Sequence, residues 1–159
     1  MKIEANTGFI VVRISQYGKI NSFQEHLTIC SQEGGVWFLK LGRKIPGKSL
    51  NKIINNGQIV LLKEPKKTCE RYMVAKLLKY HLGYPTEDMV YPKYYDAVFE
   101  ENSVVSSDRT WLYFTELKLF PIEKVENILI QKSKKKMTDI INITRTTVLY
   151  VESQVSLSI

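Results

Sequence analysis

The stretch "GGVWFLKLGRKIPGKSLNKIINNGQIVLLK", residues 34–63, holds the reading on which the fold turns. Its middle, "GRKIPGKS" at 42–49, spells G-x-x-x-x-G-K-[ST], the phosphate-cradling loop of nucleotide hydrolases. Such a loop needs amides converging on an anion, a lysine for the terminal phosphates and a hydroxyl for magnesium. Gly42, Gly47, Lys48 and Ser49 have those chemistries. The loop follows an apolar run, "VWFLKL" (36–41), expected as a strand, and precedes "SLNKIINNG" (49–57). That segment reads as a short helix with Leu50, Ile53 and Ile54 inward and Gly57 as its stop.

Three features weigh against a hydrolase. The magnesium-orienting carboxylate has no good home: "KYYDAVF" (93–99) carries its Asp in mid-strand, and "KKMTDII" (135–141) follows a lysine run. The helix after Ser49 breaks at "NNG", leaving little dipole to face a phosphate. The chain also lacks the helices for repeated βαβ crossovers. The plain alternative is a Pro-Gly turn and a basic connection between a strand and a short helix.

Working outward, "GFIVVRIS" (8–15), "QIVLLK" (58–63), "YMVAKLLKY" (72–80), "YYDAVF" (94–99), "TWLYFTELKLF" (110–120) and "TRTTVLYVES" (144–153) read as strands. "SFQEHLTICS" (22–31) reads as a helix opened by a capping box between Ser22 and Glu25, with Phe23, Leu27 and Cys30 on one face. Gly34 and Gly35 end it. Pro121 opens a further helix, "IEKVENILIQK" (122–132), and "KSKKK" (132–136) lies past its C-terminus, where cations complement the dipole. Strands interrupted by a few short helices give a mixed α+β fold or a small barrel rather than a parallel nucleotide-binding sheet.

The chain has 159 residues and no internal linker, so one domain, 1–159, is expected. Its net charge of +7 favours a polyanionic partner, nucleic acid before an anionic membrane surface. No stretch reaches the ~20 apolar residues of a membrane span. The N-terminus has no apolar core of a signal peptide. Cys30 and Cys69 stand far apart and read as buried thiols of a cytoplasmic protein. His26 and His81 are solitary, so no metal and no general base is expected.

A second pattern spans the opening stretch. "GVW" (35–37), a basic loop, "LN" at Leu50–Asn51, an apolar helix, then "GQIVLLKEP" and "YMVAKLLK" resemble the YTH domain family. "GFIVVRIS" is similar to that family's first strand, and "TWLYFTELKLFP" to its Trp-bearing strand. The likeness covers most of residues 8–130, with "GVW…LN" and "W…EL…P" its specific parts. The related EVE domains share the PUA-like architecture. The resemblance implies a PUA-like small mixed β-barrel of about six or seven strands with about three short helices.

It also implies a reader of modified bases. YTH domains hold a methylated adenine, flipped from its strand, in an aromatic cage. Similar modules precede the motor domain of some methylation-dependent restriction enzymes, so a downstream motor domain is a possible partner in a longer chain. On this reading Trp37 matches the first cage tryptophan and Trp111 the strand tryptophan. Tyr91 or Tyr94, in "VYPKYY" (90–95), stands where the family has its second cage tryptophan, a departure that bears on adenine specificity. Arg13 matches a phosphate contact, and Lys40, Arg43, Lys44 and Lys48 belong to an enlarged basic loop facing a nucleic-acid backbone. The implied protein is a non-catalytic module without cofactor, with DNA favoured over RNA. A PUA-like RNA-binding domain without modification preference, and a small nucleotidase using "GRKIPGKS", are the alternatives. For Trp111 the plain alternative is a place in the core.

Overall fold

In a computed structural model, residues 1–14, 17–40, 42–65, 70–101 and 109–159 are described, with the side chains of 98–101 left aside. The expected connections through 66–69 and 102–108, with Cys69, lie outside the described residues. The strands are β1 Lys2–Ile3, β2 Gly8–Arg13, β3 Val36–Lys40, β4 Ile59–Lys63, β5 Tyr72–Leu82, β6 Thr110–Phe120, β7 Ile128–Ile130, β8 Val148–Ser153 and β9 Leu157–Ser158. The helices are α1 Ser22–Glu33, α2 Gly47–Asn55, α3 Tyr94–Glu101 and α4 Met137–Ile140, with a 3-10 helix at Ile122–Asn127.

Seven strands form one mixed sheet in the order β3-β6-β5-β4-β2-β8-β7, and β1 pairs with β9 beside it. Only β2 and β4 run parallel; every other pairing in the sheet is antiparallel. β2, β3 and β4 read as unbroken apolar runs because both their faces are covered. On one face α1 brings Phe23 and Cys30, and α2 brings Leu50 and Ile53, against Ile10, Val12, Leu62 and Phe114. On the other, Phe9, Val11 and Val74 meet Val125, Met137 and Ile141 from the C-terminal layer. The alternation of neighbouring β2 residues between the two clusters follows from the period of two in a strand.

The mixed α+β reading holds, but the sheet does not close into a barrel. Both edges find other partners instead of each other. On β3 the outward amides of Trp37 and Leu39 donate to the Val90 carbonyl (2.9 Å) and the Tyr95 hydroxyl (3.2 Å). At β7 the Ile130 amide donates to the Lys135 carbonyl (2.8 Å). An edge whose amides are satisfied has no drive to find another strand.

Local departures have local causes. "YYDAVF" is helix α3, not a strand, because its rings pack on three other segments described below. The N-cap of α1 is Asn21, whose side chain accepts from the Gln24 amide, while the Ser22 hydroxyl is bonded to Tyr94 Oη (2.8 Å). Gly34 does end α1, in the left-handed conformation at φ 75°. The helix expected over 122–132 is a 3-10 turn followed by β7, since β8 offers Ile128–Ile130 a ladder. "KSKKK" therefore follows a strand, and Lys134 and Lys136 are ion-paired with Glu152 and Glu126.

Candidate nucleic-acid interface

β3 places Trp37 and Leu39 on one face of the sheet, and β6 sets Tyr113 and Trp111 directly opposite them. The Trp37 and Tyr113 rings lie 5.0 Å apart. The segment from Met89 to Tyr95 then folds over this corner. Tyr91 packs on Trp111 at 5.1 Å, and Tyr95 meets the same indole edge-on at 5.9 Å. Tyr94 lies 4.7 Å from Tyr95 and stacks on Tyr17 at 5.8 Å. The four residues expected to line a base pocket, Trp37, Tyr91, Tyr94 and Trp111, thus fall in one aromatic cluster. Their environments differ. Trp111 is fully buried, its indole N–H donating to the Gly83 carbonyl (3.0 Å), and Trp37 is 7% exposed. Tyr91 and Tyr94 are half-buried.

A cation lies over the Trp37 side of the cluster. The ammonium of Lys79, an exposed residue, stands 5.7 Å from the Trp37 ring centroid and 5.0 Å from that of Tyr113. A cation over an aromatic face at an exposed site contributes only about 0.5–1 kcal/mol. The second glycine of "GGVW" makes room beneath: a Cβ on Gly35 would stand 2.1 Å from Tyr113 Oη.

Sequence reasoning missed the polar spine behind these rings. His26 is fully buried, with Nδ1 2.7 Å from the Ser22 carbonyl and Nε2 2.8 Å from Tyr95 Oη. Because the Leu39 amide donates to Tyr95 Oη, the consistent arrangement has Tyr95 donating to Nε2 and His26 donating from Nδ1. Burial pushes the imidazole down to about 4, so it is neutral at pH 7, and drives the Tyr95 phenol well up. The available signal was helical spacing: His26 lies three residues after Phe23 and four before Cys30, on the inward face of α1. Tyr113 was legible too, two residues beyond Trp111 on the same strand face.

The expected phosphate contacts divide. Arg13 is half-buried and donates to the carbonyls of Thr144 (2.6 Å) and Thr146 (3.5 Å), tying β2 to the approach to β8. Lys40 is buried, its ammonium donating to the Arg43 carbonyl; burial first, and then the Arg43 charge, lower its pKa. Arg43, Lys44 and Lys48 are exposed, and among the described residues no carboxylate pairs with them. The loop between is anchored by Ile45, which is buried and whose amide donates to Thr110 Oγ1 (3.2 Å). The amides of Ser49 and Leu50 donate to the Pro46 carbonyl. The loop therefore turns cations outward while these amides, which a phosphate cradle would use, are spent internally.

Chemically the region gathers aromatic rings, largely packed on one another, at a strand followed by a loop of exposed cations. Among the described residues no three His, Cys, Asp or Glu side chains gather as a metal site, and no helix is long and apolar enough to cross a membrane. Comparison with protein-family models, with curated proteins and with solved structures finds no match.

Proposed function

We propose that this chain is a cytoplasmic, non-catalytic nucleic-acid-binding module that takes a modified base, flipped from its strand, onto the Trp37–Tyr113 face. The observation that carries the reading is the gathering of residues 37, 91, 94, 111 and 113 at one corner around β3, the strand that precedes the loop bearing Arg43, Lys44 and Lys48. Trp111 is the fixed floor, and Tyr91 and Tyr94 form the rim. A base reaches Trp37 when Lys79 swings aside, and the freed ammonium can then meet the adjoining phosphate. Stacking contributes about 1–3 kcal/mol per base, which exceeds the cation–π contact it replaces.

The test is a binding panel of DNA and RNA oligonucleotides, each with and without 6-methyladenine and 5-methylcytosine, on wild type and Trp37→Ala. We expect one modified strand to be preferred, and Trp37→Ala to remove about 1–3 kcal/mol from that strand while leaving unmodified affinity in place. A folded Trp37→Ala protein with an unchanged preference takes Trp37 out of the pocket. Binding of strands with no preference for any modification leaves the PUA-like RNA-binding alternative; binding of none defeats both.

A further inference from the structure

The opposite end of the sheet carries a groove of about 480 Å³ between α2 and the β2–β8–β7 corner. Its floor is apolar. One wall presents Tyr150, 42% exposed on β8. Facing it from α2 are Ser49 and Lys52, and Gln131 and Lys132 follow the end of β7. The Tyr150 hydroxyl donates to Ser49 Oγ (3.3 Å) on the facing helix.

Three features set this groove apart from a chance depression. Gln131 is set against Gly8, where a Cβ would stand 2.8 Å from its Nε2, and its side-chain amide has no hydrogen-bond partner among the described residues. Neither Lys52 nor Lys132 pairs with a carboxylate among those residues, although neighbouring Lys134 and Lys136 do. No acidic residue lines the groove, whereas the depression beside Tyr94 is lined by Glu25 and Glu33. Lys48 lies one turn before Lys52 on α2, so the free cations continue from the basic loop to the groove.

We infer that this groove binds one nucleotide of a single strand, its base stacked on Tyr150 with Gln131 at the base edge and its phosphates between Lys52 and Lys132. An aromatic platform flanked by cations along a track is the composition that single-stranded nucleic acid selects. The amide serves as donor and acceptor at once, the pattern a base edge needs. A strand fits better than a free nucleotide because the cations extend past the groove towards Lys48. This inference rests on the nucleic-acid part of the proposed function and is independent of base modification.

The experiment is fluorescence anisotropy with unmodified dye-labelled oligo-dT and oligo-U, with AMP as competitor, on wild type, Tyr150→Ala, Tyr150→Phe, Lys52→Ala/Lys132→Ala and Trp37→Ala, each checked for folding by circular dichroism. We expect Tyr150→Ala to weaken strand binding about tenfold and Tyr150→Phe, which keeps the ring, to stay near wild type. The double lysine variant should flatten the log-log salt slope by about 1.4. Ultraviolet crosslinking should map to the β8 peptide. If folded Tyr150→Ala binds strands as wild type does, the inference falls. It falls equally if AMP binds as tightly as a strand, since the groove is then a mononucleotide site. Loss of modified-base preference by Trp37→Ala in the methylated and unmethylated oligonucleotide panel above, with no effect of Tyr150→Ala on the unmodified strands, overturns this inference and leaves the proposed function standing. A wild-type protein that binds no strand overturns both.

Discussion

The two ends of the sheet handle their aromatic residues in opposite ways. At the β3 end, Trp37, Trp111 and Tyr95 are spent on one another, and the buried amides, His26 and indole N–H there have named partners. At the β7 end a single ring, Tyr150, stands in the open beside cations without carboxylates. The first end is bound into the folding free energy, and on the proposed function a base reaches it only once Lys79 moves off the Trp37 and Tyr113 rings. The Tyr150 ring, exposed above the core of that end, adds little to stability and is open as it stands. A cluster of aromatic residues in sequence therefore says less about binding than does the partner count of each ring.

The largest expected difference between the ends is in stability. Trp111→Ala should cost about 3–5 kcal/mol, from the emptied volume and the orphaned Gly83 carbonyl. Tyr150→Ala should stay within about 1 kcal/mol, as an exposed position does. Urea unfolding with matched m-values measures both. Equal losses at the two positions would erase the distinction.

The next effect is pH dependence at the β3 end alone. His26 is held down to about 4, against about 6.5 unfolded. Between those values the unfolded chain binds the extra proton, so stability falls as pH drops from about 6.5 to about 4 and is level above that window. The full swing from this residue is on the order of 3 kcal/mol. Denaturation midpoints of wild type and His26→Gln across pH 4–7 isolate it. A variant with the same pH slope as wild type would mean that other groups govern the acid limb.

A smaller effect belongs to the connection between the ends. Changing Arg43 and Lys44 together to Ala should flatten the salt slope of strand binding by about 1.4–1.8. It should weaken modified and unmodified strands alike, because phosphate contacts carry no base information. An unchanged slope would place the strand away from this loop.

The smallest expected effect is none at all. Wild type with magnesium and ATP or GTP should release no phosphate above the level of Lys48→Ala. The amides of Ile45, Ser49 and Leu50 already donate within the chain, and the strand before the loop is an antiparallel edge. Hydrolysis that vanishes in Lys48→Ala would make the loop a nucleotide site after all.

Composition and periodicity by themselves determined most of the sheet. β2, β3 and β4 are legible as unbroken apolar runs, since burial on both faces leaves no room for polar alternation, and β5, β6 and β8 as apolar or β-branched runs that admit exposed residues where a face is open. The stop of α1 at Gly34 and the short α2 were equally local matters of backbone freedom and spacing. The exposure of Arg43, Lys44 and Lys48 was legible too, from their polar loop, whereas the burial of Lys40 was not. Tertiary structure alone decided the rest. "YYDAVF" has strand propensity, yet it is a helix because Tyr94 and Tyr95 pack on Tyr17, His26 and Trp111, residues far away in the chain. Ile128–Ile130 carries a helical spacing but pairs with β8 because that edge had free ladder groups. The fate of each aromatic residue, floor or platform, depends on which segment covers it. The open sheet depends on the same thing: the edge amides of β3 are satisfied by Val90 and Tyr95, contacts made across more than fifty residues of chain. Local propensity acts over one element, whereas covering a face or an edge is a property of whatever the fold brings there.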